Sequence, residues 1–199
     1  MPAISEILNR ARQHHQAGRL QEAEAAYRLI LQSQPSHPDA LHLLGVIAHQ
    51  QGKADLAIEY ISQAIAINAQ TAEYYNNLGV VYQAVGKLEH AAAQYRQALA
   101  LRPAYAQASY SLGTVCQAQG KLAEAEAQYQ QTLAVQPDHA VACCKLGDVL
   151  KGQFKFVEAV AQYRRALVLN AGYIDAYNNL GVALMGQGKF DEAEACYRQ

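Results

Sequence analysis

One feature of the sequence constrains its fold more than any other: a glycine that returns at a fixed interval. Gly45, Gly79, Gly113, Gly147 and Gly181 are separated by 34 residues each. A period of this length indicates a helical hairpin as the building block, and a single hairpin is unable to bury both of its faces. The sequence therefore predicts hairpins that are stabilised by stacking on their neighbours.

The repeats extend over nearly the whole chain. With the recurrent glycine as position 8, six repeats form what we take as a single array over residues 1–199, with bounds at 4–37, 38–71, 72–105, 106–139, 140–173 and 174–199. The last repeat is incomplete. The first repeat departs from the pattern, because Arg10 and Ala11 stand at positions 7 and 8. Such a departure is expected of a terminal repeat that has one face toward water.

The residues that recur within a repeat each have a structural role, as repeat 3 illustrates. Gly79 at position 8 and Ala91 at position 20 carry almost no side chain, so the two helices of the hairpin can approach closely there. Tyr95 at position 24 fills the space beside this crossing, and its hydroxyl is expected to reach a polar edge. Gly86 at position 15 suits the left-handed end of the first helix, and Pro103 at position 32 stops the second helix.

The turn between the two helices of repeat 5 departs from this pattern. Phe154 occupies position 15, where the other five repeats have glycine, and Gly152 stands two residues earlier. Since bulky residues avoid left-handed backbone conformations, we predict a shifted turn in this repeat.

The glycine, alanine, aromatic and proline positions, together with the period, resemble the tetratricopeptide repeat family over essentially the whole chain. The Asn-Leu-Gly runs at residues 77–79 and 179–181 and the Gly-Lys-Phe-Asp-Glu-Ala run at residues 188–193 are similar to the repeat region of O-linked N-acetylglucosamine transferases. The resemblance implies an all-α, right-handed superhelical solenoid of about six helix-turn-helix repeats. It also implies that the first helices line a concave surface, which holds the ligand.

The first helices of the repeats carry the candidate binding residues. One arc of the first helix is predicted to be buried, namely positions 4, 7, 8 and 11. The open surface then consists of positions 2, 5, 9, 12 and 13, and position 6 lies at its rim. This surface is largely neutral and rich in amides, which donate and accept hydrogen bonds and suit an extended peptide backbone. The predicted partner-binding residues are Asn9, His42, His49, Asn76, Asn77, Gln83, Tyr110, Ser111, Gln117, Lys145, Asp148, Asn178 and Asn179.

Position 6 has a further meaning within the resemblance. In transferase-like arrays, an asparagine at this position forms a ladder along the groove. Asn9, Asn77 and Asn179 match it here, and the other three repeats do not. The resemblance thus implies amide contacts to a peptide at these three repeats.

Other kinds of site find little support in the sequence. His42 and His49 are seven residues apart, or about 10 Å along a helix, which is too far for two ligands of one metal ion. The cysteines at 116, 143, 144 and 196 lack CxxC spacing, and of these Cys144 is predicted to be accessible. No phosphate-binding glycine loop, zinc-protease motif or nucleophile elbow occurs. We therefore predict no metal, no cofactor and no catalytic residue.

Charge and hydropathy bear on the partner and the location. The formal net charge is −1, which argues against nucleic acid as the partner and sets aside a helical-repeat RNA reader. Residues 1–12 contain no apolar run after a basic start, so we expect no secretion signal, and no apolar stretch reaches the roughly 20 residues of a membrane span. We expect no membrane partner and a cytoplasmic location.

Three functions stay open at this point. The favoured one is a non-catalytic scaffold that binds a protein or an extended peptide. The second is the substrate-docking part of a longer glycosyltransferase or methyltransferase, with its catalytic domain beyond residue 199. The third is homodimer formation through an uncapped C-terminal edge, which is predicted to expose Leu180, Leu184 and Tyr197.

Overall fold

The structure, a computed structural model, describes residues 3–198. Over these residues the chain forms twelve α-helices and no strand: α1 (Ile4–Gln16), α2 (Leu20–Ser33), α3 (Pro38–Gln50), α4 (Ala54–Ile67), α5 (Ala72–Ala84), α6 (Leu88–Leu101), α7 (Ala106–Ala118), α8 (Leu122–Val135), α9 (Ala140–Gly152), α10 (Phe156–Leu169), α11 (Ile174–Gly186) and α12 (Phe190–Tyr197). The odd-numbered helices begin at the first residues of the six repeats. The prediction of an all-α chain of helical hairpins is confirmed.

The helices group into two compact units. The N-unit, Met1–Arg102, holds α1–α6, and the C-unit, Pro103–Gln199, holds α7–α12. Within both units, the two helices of a repeat pack against each other, and the second helix of a repeat packs against the first helix of the next one. One apolar cluster around Tyr27, Ile30 and Leu44 joins repeats 1 and 2 in this way. Each unit thus consists of three stacked hairpins.

The close crossing inside the hairpins is confirmed, since the glycine at position 8 lies against the side chain at position 24. A Cβ atom on Gly79 would lie 2.7 Å from the ring of Tyr95, and one on Gly147 would lie 2.6 Å from the ring of Tyr163. Both rings are fully buried. A larger residue at position 8 would have to displace the ring, which explains why glycine and tyrosine recur together.

The predicted shift of the turn in repeat 5 is wrong. Phe154 adopts a φ of 63° and keeps the turn that glycines form at the same position of the other repeats. The amide of Lys155 donates to the carbonyl of Leu150 over 2.9 Å, as the amide of Lys121 does to the carbonyl of Cys116 over 2.9 Å in repeat 4. Because the packed helices fix this turn, the phenylalanine takes a left-handed conformation that costs roughly 1 kcal/mol or more. Its side chain is left 80% exposed.

The prediction that Leu180 and Leu184 are exposed at the C-terminal edge is also wrong. These residues are 4% and 1% exposed, whereas Tyr197 is 48% exposed. Position 7 is buried against the preceding repeat in repeat 2, where Leu44 belongs to one buried cluster with Ile30 of repeat 1. Both leucines of repeat 6 are therefore buried and not left for a partner.

Candidate functional site

First helices of neighbouring repeats touch within each unit, α3 against α5 and α9 against α11. Side chains from consecutive repeats therefore meet on one surface of each unit. We call this surface the first-helix wall and define it by positions 2, 6, 9 and 12, with position 5 wherever that is accessible. Of the predicted partner-binding residues, the exposed ones are Asn9 and Asn178, the half-buried ones are His49, Asn77, Gln83, Tyr110, Ser111, Gln117, Lys145, Asp148 and Asn179, and the buried ones are His42 and Asn76.

Position 5 was predicted to be accessible, and this prediction is wrong in most repeats. His42 is 7% exposed, Asn76 is 1% exposed and Cys144 is 2% exposed. A single helix viewed alone places position 5 opposite the buried arc, but the neighbouring first helix covers it once the repeats stack. His42, for example, is covered by Tyr74 and Asn77 of the next repeat.

In the N-unit, a buried histidine holds the position-6 asparagine. The Nε2 atom of His42 lies 2.8 Å from the Nδ2 atom of Asn77, and the His42 ring packs against the Tyr74 ring at a centroid distance of 4.5 Å. Burial lowers the pKa of His42 to about 4, so the ring is neutral at pH 7. Because an amide nitrogen only donates, Nε2 is the acceptor of this bond. The Nδ2 atom of Asn76 in turn donates to the Oδ1 atom of Asn77 over 3.2 Å.

The acidic side chains at position 2 of the N-unit wall are paired with arginines. Asp39 accepts from Arg12 over 2.8 Å and also from the hydroxyl of Tyr74. Glu73 forms an ion pair with Arg102. The carboxylates at position 2 are thus neutralised, and the amides remain the principal polar groups of this wall.

The N-unit wall also contains a cleft of about 370 Å³, which is lined by Arg12, His15, Tyr27 and Gln50 among others. The Nε2 atom of His15 lies 3.0 Å from the Oε1 atom of Gln50 across it. The buried hydroxyl of Tyr27 has no hydrogen-bond partner among the residues that the structure describes. A larger groove of about 620 Å³ lies between α1 and α2 and involves none of the wall positions.

In the C-unit, a lysine holds the position-6 asparagine instead. The Nζ atom of Lys151 donates to the Oδ1 atom of Asn179 over 2.8 Å and lies 6.0 Å from the centre of the Tyr163 ring. The hydroxyl of Tyr163 donates to Asp148 over 2.9 Å, and the Nζ atom of Lys145 lies 3.6 Å from the same carboxylate. Burial, reinforced by Asp148, raises the pKa of Tyr163, which keeps its hydroxyl a donor. Within residues 3–198, Lys151 forms no ion pair with a carboxylate.

The tyrosines at position 24 fix the amides at position 12. Tyr95 donates to the Oε1 atom of Gln83 over 2.8 Å, and Tyr129 donates to that of Gln117 over 3.0 Å. Burial raises the pKa of Tyr129 to about 12, so its hydroxyl also stays protonated. The expectation that these hydroxyls reach a polar edge is confirmed. The sequence did not show that the edge consists of predicted binding residues.

Two further features of the C-unit wall concern its aromatic and apolar side chains. The ring of Tyr110 stacks on that of His139 at 5.2 Å, and His139 accepts from the amide of Ala142 at the start of α9. Val182 at position 9 and Met185 at position 12 are 46% and 50% exposed. Val182 was missed because the search along the sequence favoured polar residues; its position in the repeat was the available signal.

Over residues 3–198, no three His, Cys, Asp or Glu side chains are grouped so as to hold a metal ion. The four cysteines are free thiols, and burial raises the pKa of Cys143 and Cys144. In the same part of the chain, no helix has both the length and the apolar character to cross a membrane.

These observations define a helical-repeat protein with a polar wall on its first helices. The chain belongs to the tetratricopeptide repeat family. Models of that repeat match residues 8–28, 39–104, 104–169 and 174–199. No curated protein sequence matches the chain.

Solved structures of similar fold fall in the same class. PilF of Pseudomonas aeruginosa is 20% identical with a TM-score of 0.85, covering 97% of this chain and 88% of its own. MamA is 26% identical with a TM-score of 0.75, covering 81% of this chain and 94% of its own. YrrB, described as a TPR protein with an unusual peptide-binding site, is 19% identical with a TM-score of 0.73, covering 85% of this chain and 88% of its own.

Proposed function

We propose that the chain is a scaffold that binds a protein or an extended peptide along the first-helix wall. The observation that carries this proposal is the state of the wall amides. Asn77, Gln83, Gln117 and Asn179 are each held by a side chain of the protein, which fixes the orientation of the carboxamide. Binding groups that are already ordered lose less entropy when a ligand arrives, so their hydrogen bonds contribute more to affinity.

The two walls differ in the ligand that they favour. On the N-unit wall, the amides of Asn77 and Gln83 suit the carbonyl and amide groups of a peptide backbone. On the C-unit wall, the ammonium group of Lys151 favours a hydrogen-bond acceptor, and Val182 and Met185 offer apolar contact on α11, the helix that carries Asn179. A peptide that carries an acceptor next to an apolar side chain fits this second wall. YrrB, with its peptide-binding site, is a precedent for peptide recognition on a similar fold.

Alanine substitution of the two anchored asparagines tests the proposal. We expect the double variant N77A/N179A to lose most of the protein that the wild-type chain captures from a cell extract, since each lost hydrogen bond weakens binding by about 1 kcal/mol. The matched control is Q63A/Q130A, because these glutamines lie exposed on second helices, one in each unit. Capture that is unchanged by N77A/N179A would refute binding at the wall.

The proposal assigns the chain a binding role without catalysis and a cytoplasmic location, where its four free thiols would stay reduced. We also propose a specific similarity of this chain to transferase repeats, on the basis of the Asn-Leu-Gly runs at residues 77–79 and 179–181 and the Gly-Lys-Phe-Asp-Glu-Ala run at residues 188–193. A substrate-docking role beside a glycosyltransferase or methyltransferase domain is accordingly our second proposal. The genomic reading frame decides it, because a stop codon directly after Gln199 would exclude such a domain.

We propose homodimer formation through the C-terminal edge as a separate possibility, which rests on one of the three residues predicted to be exposed there. With Leu180 and Leu184 buried, Tyr197 is the predicted edge residue that is accessible. We expect the mass from light scattering to rise with concentration in the wild-type chain and less so in Y197S. A concentration-independent monomer mass would exclude this edge as a dimer interface.

A further inference from the structure

We propose that His42 is a positioning residue that holds the carboxamide of Asn77 ready to bind a peptide group. This inference rests on the function proposed above and names the residue that prepares the N-unit wall for it. His42 itself is 7% exposed and does not reach the ligand. Its effect is exerted through the 2.8 Å contact between its Nε2 atom and the Nδ2 atom of Asn77.

Two contacts of opposite polarity fix the amide of Asn77. Its nitrogen faces the acceptor on His42, and its oxygen faces the donor on Asn76 at 3.2 Å. With the His42 proton on Nδ1 and Nε2 free to accept, rotating the carboxamide by 180° would place oxygen against the His42 lone pair and nitrogen against the Asn76 donor, so both contacts would become repulsive. The orientation that remains leaves one N–H and one oxygen lone pair of Asn77 unused. These groups complement the carbonyl and the amide of one peptide group.

The His42 ring is itself held by neighbouring repeats. It packs on Tyr74, whose hydroxyl donates to Asp39, and Asp39 accepts in turn from Arg12. Side chains of α1, α3 and α5 therefore act together on the orientation of one amide. The burial that lowers the pKa of His42 to about 4 keeps its acceptor available near neutral pH.

The arrangement is not the one that stability alone would favour. Asn76 is 1% exposed and uses its nitrogen on Asn77, while its own Oδ1 atom is buried with no partner among the described residues. Such an unsatisfied buried oxygen is costly and calls for an explanation. Asn179, at the same repeat position in the C-unit, is held through its oxygen by Lys151. The two asparagines thus present different edges of the amide, which is expected if the anchor selects the edge that a ligand meets.

Peptide binding by single and double variants tests the positioning role. The probe is a fluorescein-labelled 12-residue peptide selected from a random phage-displayed library on the wild-type chain, and affinity is measured by fluorescence anisotropy. We expect N77A and H42L each to weaken binding by about tenfold and the double variant H42L/N77A to weaken it no further, because both changes remove one function. H42Q, which retains an acceptor, recovers most of the affinity. H90L is the control, since His90 is exposed on α6.

Additive losses in H42L and N77A would show that His42 acts independently of Asn77 and would overturn the inference. If no peptide binds, or if N77A binds like the wild-type chain, the proposed function of this wall fails and the inference fails with it. Circular dichroism establishes that each variant folds. Should H42L not fold, H42F preserves an aromatic ring without the acceptor.

A measurement without ligand separates the two failures. We expect the side-chain amide protons of Asn77, assigned by their loss in N77A, to have well-separated NMR shifts in the wild-type chain, because one of them is hydrogen-bonded. In H42L the two shifts should converge toward those of an exposed asparagine. Unchanged Asn77 shifts in H42L would overturn the positioning role even if the peptide still binds.

Discussion

The N-unit and the C-unit use the same hairpin but present different chemistry on the first-helix wall. In the N-unit, a neutral histidine accepts from Asn77, and the acids at position 2 are paired with arginines. In the C-unit, the charged Lys151 donates to Asn179. The first helix of the preceding repeat therefore contacts the amide nitrogen of Asn77 in one unit and the amide oxygen of Asn179 in the other. The repeat thus places an asparagine at the same position in both units, and the neighbouring side chains determine which of its hydrogen-bonding groups remain available.

The two units also differ in the number of large apolar side chains that they expose. Among the described residues, three exposed large apolar side chains lie in the N-unit, namely Leu29, Ile67 and Val85. Eleven lie in the C-unit, namely Val135, Val141, Phe154, Val157, Val168, Leu169, Ile174, Val182, Met185, Phe190 and Tyr197. The C-unit therefore exposes more large apolar side chains than the N-unit does.

Lowering the pH is expected to have the largest effect on the difference between the units, because the buried His42 lies in the N-unit. The property affected is the free energy of unfolding. Its pKa falls from 6.5 to about 4 through burial, against the opposing effect of Asp39 and Glu73. Between these pH values the unfolded chain binds the proton and the folded chain does not, so stability decreases as the pH falls through this window. The loss approaches about 3 kcal/mol near pH 4.

The measurement is urea unfolding of the wild-type chain and H42L between pH 7 and pH 4. We expect the wild-type chain to lose stability more steeply than H42L, since the variant lacks the titrating ring. Carboxylates titrate in both proteins and cancel in the difference. The corresponding residue of repeat 5 is Cys144, whose pKa is raised by burial and which stays protonated throughout. Parallel curves for the two proteins would contradict the assignment of a neutral, buried His42.

Replacing the glycine at the helix crossing by alanine has the next largest expected effect. It tests the close packing of the two helices of a hairpin, which both units share. In G147A, the new Cβ atom would lie 2.6 Å from the Tyr163 ring, which is held in place by its hydrogen bond to Asp148. Overpacking should outweigh the gain in helix propensity and cost about 2 kcal/mol in urea unfolding. G79A should cost a similar amount in the N-unit. The control is G152A in the same helix, where the nearest atom, on Leu122, lies 3.4 Å away. If G147A is as stable as G152A, the helix crossing accommodates the added methyl group without strain and the prediction is wrong.

The sequence predicted the hairpins well because their determinants are local and repeated. Gly79 and Tyr95 meet as their positions in the repeat indicated. The errors arose where contacts between repeats decide the outcome. A single helix suggested that position 5 is open, but the next first helix covers His42. The pairing of Asn77 with His42 could not be predicted from the sequence either, because these residues are 35 apart and become neighbours only when the repeats stack.

The smallest effect is expected at the turn of repeat 5, where the C-unit departs from the repeat. Phe154 adopts a φ of 63° at a position where glycines adopt similar values, and its side chain is 80% exposed. Its ring contacts that of Phe156, at a centroid distance of 6.1 Å. Relief of the left-handed strain should outweigh loss of this contact and the added freedom of the unfolded chain, so F154G should stabilise the protein by up to about 1 kcal/mol. The reverse change G120F, in the neighbouring repeat of the same unit, should destabilise it by a similar amount. If F154G instead lowers the midpoint of urea unfolding, the aromatic contact stabilises the turn by more than the backbone strain costs.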